Sequence, residues 1–497
     1  MRSLNFAAGA LALLLSPAPA PAPAHGPAHG QGALPTVAAA WNPQPWVEDL
    51  AQIRAVMDAK YANMDWLLTE RELDLPGLFE RAERAVRNAG SDAAAAAVFD
   101  RLMTRIGDGH VGLSWPRPAP PPAAGPPPSE PAPTPQSFCR SIGYDGPASL
   151  GLAPALLGYT PLPDSEILPA GTASVGGVRT GFLRIAIFQP QGSPALCTQA
   201  VAALAIPIDR PCDDQCQDRI VTHAYRALGE AMLNRLARLK AAGAQALVVD
   251  ITGNGGGSEW TEAAARMLSR RPLRSAPVSF VRGEHWVTNW QRVIDELSAH
   301  RERASGDERR RLDTYIAQAR AARAEAGKSC PAGGSCPRLG SGGYATGLVG
   351  AAPAGAFAGK DWGVWVFSPA QHTYRDGAWD GPVVVVTDQD TASAAEQFAA
   401  ILQDNRAAVI LGSRTLGAGC GHTWGGTPTR LSNSGATLRL PDCARLRADG
   451  SNEVRGILPD VAIPWRANDG RAFRARLLEA ALPEALARAR ALHAAAR

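Results

Sequence analysis

Lysine is almost absent from this chain. Only Lys60, Lys240, Lys328 and Lys360 occur, so any chemistry that needs a lysine has four candidates. An excess of charge of one sign is missing as well. Lys+Arg 50 against Asp+Glu 46 leaves a formal net charge of +4 over 497 residues. That balance excludes the strong field of a nucleic-acid binder, and no nucleic-acid partner is expected. Aromatic residues are only 6%, but hydrophobic residues reach 45% and charged residues 19%, which excludes a wholly disordered chain. Long apolar runs are scarce. The run from Leu4 to Leu15 is too short to span a bilayer comfortably, and no other stretch approaches about 18 apolar residues, so no stable membrane insertion is expected. A phosphate-binding Gly-Lys-Ser/Thr loop and a dinucleotide glycine fingerprint are both missing. No paired cysteines and histidines complete a four-ligand zinc set, so neither a metal nor a cofactor is expected.

What is present points to export. Arg2, the apolar run and the Ala-Pro-Ala sites between Ala18 and Ala24 form the pattern of a cleaved secretory signal over 1–24. The destination is the periplasm or the extracellular space. All eight cysteines lie beyond that segment, and an even set in an oxidising compartment suggests disulfides. Cys212/Cys216, Cys330/Cys336 and Cys420/Cys443 are close pairs, which leaves Cys139/Cys197, although spacing alone does not decide connectivity.

A flexible leader over 25–44 precedes a helical domain over 45–115, where apolar residues recur at helical spacing and Ser91-Asp92 opens a helix. A proline-rich linker follows over 116–136. From 137 to 465, apolar strands such as 246–251 and 382–387 alternate with helices such as 217–241 and 394–405. This is the pattern of an α/β core. A charged helical pair over 287–327, with Asp307 as the cap between its members, interrupts the core as an insertion. The glycine-rich stretch 331–355 reads as loop, and 466–497 as a helical tail.

Four segments carry candidate chemistry. Ser393 follows a buried strand and a polar turn and opens a helix, so the N–H of Ala394 lies where a helix N-terminus stabilises an oxyanion. Thr391 or Ser393 ahead of Glu396 reads equally as a helix cap. Gly253-Asn254-Gly255-Gly256-Gly257 ends a buried strand; it is either a tight turn or a backbone surface that approaches a ligand closely. His110 stands in a Gly-rich turn, with His422 its one rival, and Glu453 precedes a glycine and a Pro-Asp turn.

Taken together and in order, these segments resemble the C-terminal-processing (tail-specific) and tricorn-core family of serine peptidases. The matching text is DGHVGL, GFLRI, VDITGNGG, TASAAEQFAAILQDN, VILGSRTLG and EVRGILPD. The resemblance implies a ClpP/crotonase-like α/β core with an N-terminal helical domain. It also implies hydrolysis of peptide bonds in a peptide or protein substrate through a Ser393 acyl-enzyme. One branch of that family uses a lysine base, but Ala418 stands at the lysine position. The other branch uses a histidine and a glutamate, which here are His110 and Glu453. Gly109 replaces the serine that often precedes the histidine. Gly255, Gly256 and Ala394 would supply oxyanion donors. A non-catalytic peptide- or ligand-binding member of the fold and an esterase-type acyl hydrolase are the alternatives.

Overall fold

The computed structural model describes residues 41–116, 132–146, 149–163, 166–328, 338–422, 428–466 and 468–495. The expected signal over 1–24, most of the leader and of the proline-rich linker, and Cys330 and Cys336 lie outside the described residues. Among those described, no helix is long and apolar enough to cross a membrane.

A seven-stranded mixed sheet organises the α/β core. From one edge its strands are Val461–Ala462, Val409–Gly412, Val383–Thr387, Ala246–Asp250, Val178–Arg184, Ala170–Val175 and Thr160–Pro161. The first five run parallel, and the last two are antiparallel to their neighbours. Ala246–Asp250 and Val383–Thr387 are buried along their whole length, which is why they read as unbroken apolar runs. Alternate side chains face opposite layers. Leu247, Val249 and Val385 pack with helices Asp214–Ala241, Trp260–Arg266 and Ala394–Asp404. Val248, Val384 and Val386 pack with Leu478, Leu482 and Leu486 of helix Arg471–Ala494.

Helices Gln44–Lys60, Leu75–Arg87 and Asp92–Ile106 form a second core with Leu431 and Leu438. The Ser91 side chain accepts from the Ala94 N–H and so caps the third of these helices, as expected. Strand Gly112–Ser114 pairs with Thr437–Arg439, which also pairs with Thr429–Arg430, and this small sheet ties the helical region to the C-terminal half. A third sheet joins Cys443–Arg445, Pro277–Val281 and Leu339–Tyr344.

The charged insertion is a helical hairpin, Glu284–Arg303 and Gly306–Ala326. Ser305 holds the cap position before the second helix, and Asp307 falls inside its first turn. Strand Leu339–Tyr344 corrects the expected loop. Its glycines are there for packing: a β-carbon on Gly340 would come 2.9 Å from the Phe280 ring, and one on Gly342 would come 2.9 Å from Cβ of Ala322. Three disulfides, Cys139–Cys197, Cys212–Cys216 and Cys420–Cys443, use the pairings that spacing suggested.

Candidate active site

The candidate residues gather at the C-terminal edge of the parallel strands, where ligands bind in open α/β sheets. The chain leaves strand Val383–Thr387 through a polar turn and reaches Ser393 just before helix Ala394–Asp404. Ser393 has φ 56° and ψ −117°, a conformation that costs free energy for any residue with a β-carbon. Its neighbours hold it there. The Ser393 N–H donates to Oε2 of Glu396 at 2.8 Å, and Ala392 N–H donates to the Asn254 carbonyl at 2.9 Å. The Thr391 hydroxyl accepts from the Asp388 N–H at 3.0 Å. Glu396 therefore does the capping, and the Ser393 hydroxyl is directed at His110, with Oγ 3.1 Å from Nε2.

His110 comes from the opposite end of the sequence. Helix Asp92–Ile106 stops at Gly107, whose φ of 70° suits a residue without a side chain. Buried Asp108 then anchors the turn. Its Oδ1 accepts from the His110 N–H at 2.9 Å, and its Oδ2 accepts from Tyr61 at 2.9 Å and Asn63 at 2.8 Å. Nδ1 of His110 lies 2.7 Å from the carbonyl oxygen of Ala418. A carbonyl only accepts, so Nδ1 carries the hydrogen and Nε2 presents its lone pair to the Ser393 hydroxyl.

The loop that supplies this carbonyl is fitted closely around the imidazole. A β-carbon on Gly421 would sit 2.7 Å from Nε2 of His110, so only glycine can cover the ring here. A β-carbon on Gly109 would come 3.0 Å from Cβ of Ala418. The two positions where the family resemblance led us to expect a serine and a lysine thus press against each other as glycine and alanine.

Glu453 is buried, and its hydrogen bonds go to Arg445. Nε of Arg445 reaches both carboxylate oxygens at 3.0–3.1 Å, and Nη2 reaches Oε1 at 2.5 Å. The same Nη2 donates to the carbonyl of Gly419 at 2.7 Å and to that of Ser393 at 3.1 Å. Glu453 therefore holds a cation that clamps both the Ser393 turn and the loop beside His110. Glu396 joins the same two elements. Besides Ser393, it accepts from Gly417 N–H at 2.6 Å, Ala418 N–H at 2.9 Å and the Thr415 hydroxyl at 2.6 Å. Burial and neighbouring Glu453 push its carboxyl up, while Thr415, Ala418 and Gly417 pull it down.

The glycine loop lies alongside. A β-carbon on Gly256 would stand 2.8 Å from Cβ of Ser393 and 3.1 Å from the Ala394 nitrogen, so the missing side chain leaves space in front of both. Ala394 N–H is the first amide of its helix and has no intrahelical acceptor. Gly256 N–H donates to Oδ1 of Asn254 at 2.8 Å, and Asn254 Nδ2 in turn donates to the Ile185 carbonyl at 3.0 Å.

The electrostatics favour a neutral imidazole. Burial pushes His110 from its ordinary 6.5 down to about 4; the Ala418 carbonyl opposes this, and the Arg445 cation adds to it. The rival His422 stands edge-on, ring centres 6.0 Å apart. Burial first, and then His110, hold it near 4 as well. Ala418, Glu396, Arg445, Asn254 and Asp108 are the groups to which the sequence assigned no part in the site. Glu396 carried a signal as a capping partner, and Asn254 and Asp108 lie inside matched segments, but Arg445 carried none.

No curated protein matches the chain by sequence. Among solved structures, mature CPAF superposes with a TM-score of 0.58 at 15% identity, over 90% of this chain and 98% of CPAF. Mature CPAF complexed with lactacystin gives 0.56 at 15% identity, over 90% and 99%. At this identity the likeness is one of fold. The sequence profile of Peptidase family S41 matches residues 220–463, a span that holds the glycine loop, Ser393, Glu396, Arg445 and Glu453. With this match and the order of its motifs, residues 220–463 belong to peptidase family S41, and the general activity this supports is that of a serine peptidase.

Proposed function

We propose that the protein is an exported serine peptidase that cleaves peptide or protein substrates through an acyl-enzyme on Ser393, with His110 as general base. The observation that carries this reading is Oγ of Ser393 at 3.1 Å from Nε2 of an imidazole whose Nδ1 is committed to the Ala418 carbonyl. That geometry selects the tautomer that accepts the hydroxyl proton.

Attack of Oγ on the peptide carbonyl transfers the Ser393 proton to Nε2. The imidazolium so formed keeps its Nδ1–H bond to Ala418 and then protonates the leaving amine. Water next enters on the same base and hydrolyses the ester. Ala394 N–H and Gly255 N–H serve the oxyanion; the Gly256 contribution is chiefly the open space in front of Ser393, because its N–H is engaged by Asn254. One such donor is typically worth about 2.7–4 kcal/mol in the transition state. Glu453 acts through Arg445, holding the carbonyls of Gly419 and Ser393 in register.

The test is labelling of purified protein with a fluorophosphonate, together with hydrolysis of a peptide library and of simple esters. Ser393 should carry the label, peptides should be cleaved, and Ser393→Ala should lose both. A folded wild type that neither labels nor cleaves would make the chain a binding member of its family. Turnover confined to simple esters would make it an esterase.

A further inference from the structure

Beyond the residues that handle the proton, we infer that the Cys420–Cys443 disulfide is the positioning element for His110, so that the peptidase is competent only with this bond formed. The inference rests on the peptidase reading above, and it follows from what lies on either side of the bond. Within four residues, Ala418 supplies the carbonyl for Nδ1 of His110, Gly419 supplies a carbonyl to Arg445, and Gly421 covers the imidazole ring. Cys420 sits inside this set. Its partner Cys443 begins strand Cys443–Arg445, which ends in the guanidinium that clamps the Ser393 carbonyl. Cys443 is fully buried, and the strand is fixed by its register against Pro277–Val281. The disulfide thus ties the loop that orients the base to the strand that braces the nucleophile.

The other anchors of the loop do not replace this tie. Glu396 fixes its start, through Thr415, Gly417 and Ala418. At the far end, the Gly421 carbonyl accepts from the Asp442 N–H at 3.1 Å, a bond to the residue next to Cys443. Without the covalent link, the contacts left to this end among the described residues are non-covalent: the Asp442 N–H and the Cys443 sulfur on the Gly421 carbonyl, and the His422 ring on the Leu440 backbone. Displacement of Gly421 would open the ring face of His110 to water. The groups facing His110 are Asp108 on its own turn, His422 edge-on, and Arg445 across the loop, with Glu396 and Glu453 behind.

The chemistry balances as ordinary thiol–disulfide exchange. Forming the bond moves two electrons and two protons from the two thiols onto the disulfide of a thiol-oxidising protein. A dithiol reverses it, becoming a cyclic disulfide and leaving two cysteine thiols. The chain would therefore be slack at its base in a reducing compartment and tightened after export.

The experiment compares oxidised wild type with Cys420→Ser/Cys443→Ser, and with Cys212→Ser/Cys216→Ser as the control for a disulfide away from the site. Two readouts are taken: peptide kinetics, and the histidine titration of His110 by NMR, assigned by its loss in His110→Asn. A drop in kcat of about ten- to a hundredfold with KM held within about threefold is expected for the first double variant. Its His110 titration should also move up from about 4 toward the ordinary imidazole value of 6.5. The control should match wild type. Wild type treated with dithiothreitol and then reoxidised should lose and regain activity, which separates positioning from misfolding. Unchanged kcat together with an unchanged His110 titration in the first variant would overturn the inference. An oxidised wild type inert to every peptide would sink the peptidase reading, and the titration would still decide the role of the disulfide.

Discussion

The proposed nucleophile and its proposed base are built in opposite ways. Ser393 is a product of the sheet. Its turn hangs from the carboxyl end of one parallel strand, is bonded to the loop at the end of the adjacent strand through Asn254, and is capped three residues on by Glu396. His110 is a product of assembly. It lies 283 residues from Ser393 and is aimed by a carbonyl 308 residues away, on a loop held by a carboxylate, a guanidinium and a disulfide. A nucleophile of the first kind withstands the loss of distant contacts, whereas a base of the second kind depends on them.

Removing either partner gives the largest effect and shows whether the comparison holds at all. Ser393→Ala should abolish peptide turnover. His110→Ala should lower kcat by about 10³-fold or more while the circular dichroism and the thermal midpoint stay near wild type. A His110→Ala variant with near-wild-type rate would make His422 the next base to test, since its ring is the nearest other imidazole.

Glu396 is where the two halves meet, so Glu396→Gln should break both. The carboxylate receives two donors on each oxygen: Thr415 and Gly417 on Oε1, Ser393 and Ala418 on Oε2. An amide has one acceptor oxygen, and its NH2 must face either the Ser393 and Ala418 N–H groups or the Thr415 hydroxyl and the Gly417 N–H. Leaving those donors unpaired costs about 1–3 kcal/mol each, and the kcat loss should be about a hundredfold from displacement of the reacting atoms. Thermal unfolding and single-turnover kinetics measured on the same preparation would check both.

Glu453→Gln sharpens the comparison further down the scale. A glutamate bonded directly to the imidazole would be felt in tautomer and proton affinity, whereas one that works through Arg445 is felt as loosened carbonyls. Its loss should lower kcat by about tenfold, because the amide can still accept one Arg445 hydrogen bond. Arg445→Met should cost more, since it frees the Gly419 and Ser393 carbonyls outright. A Glu453→Gln variant as impaired as His110→Ala would show that Glu453 contacts the base during the reaction.

The same contrast governs what was legible in the sequence. The buried strands, the helices that cover them and the turn carrying Ser393 were readable, because burial on both faces leaves unbroken Val runs and a nucleophile turn leaves a polar break. Strand Leu339–Tyr344 was not, because glycines chosen for the close approach of Phe280 and Ala322 look like loop residues. The acceptor for His110 was out of reach for a simpler reason: a main-chain carbonyl leaves no mark in a sequence, and Ala418 marks only the absence of lysine. Arg445 lies in no motif. It is buried because Glu453, eight residues on, pairs with it, and it reaches the Ser393 and Gly419 carbonyls only in the folded chain.

The smallest effect at neutral pH separates activity from stability on acidification. An imidazole at its ordinary value would make kcat/KM rise through about 6–7, whereas burial holds His110 near 4. The rate should therefore stay level from pH 7 down to about 5 and fall with an apparent pKa near 4. Stability should behave differently. His110, His372 and His422 all titrate near 4 in the folded protein, against an ordinary 6.5. Between those values the unfolded chain binds protons that the folded one refuses, so folding stability increases with pH across that window and is lost as the pH drops from about 6.5 to 4. The contribution is roughly 1–3 kcal/mol each for His110 and His372 and less for His422, whose side chain is exposed and screened by water. Thermal midpoints at pH 7 and pH 5 should differ by several degrees while kcat/KM at 25 °C does not. A rate that falls in step with the midpoint from pH 6.5 would mean that the base is open to water, and that the loop around it is looser than its hydrogen bonds imply.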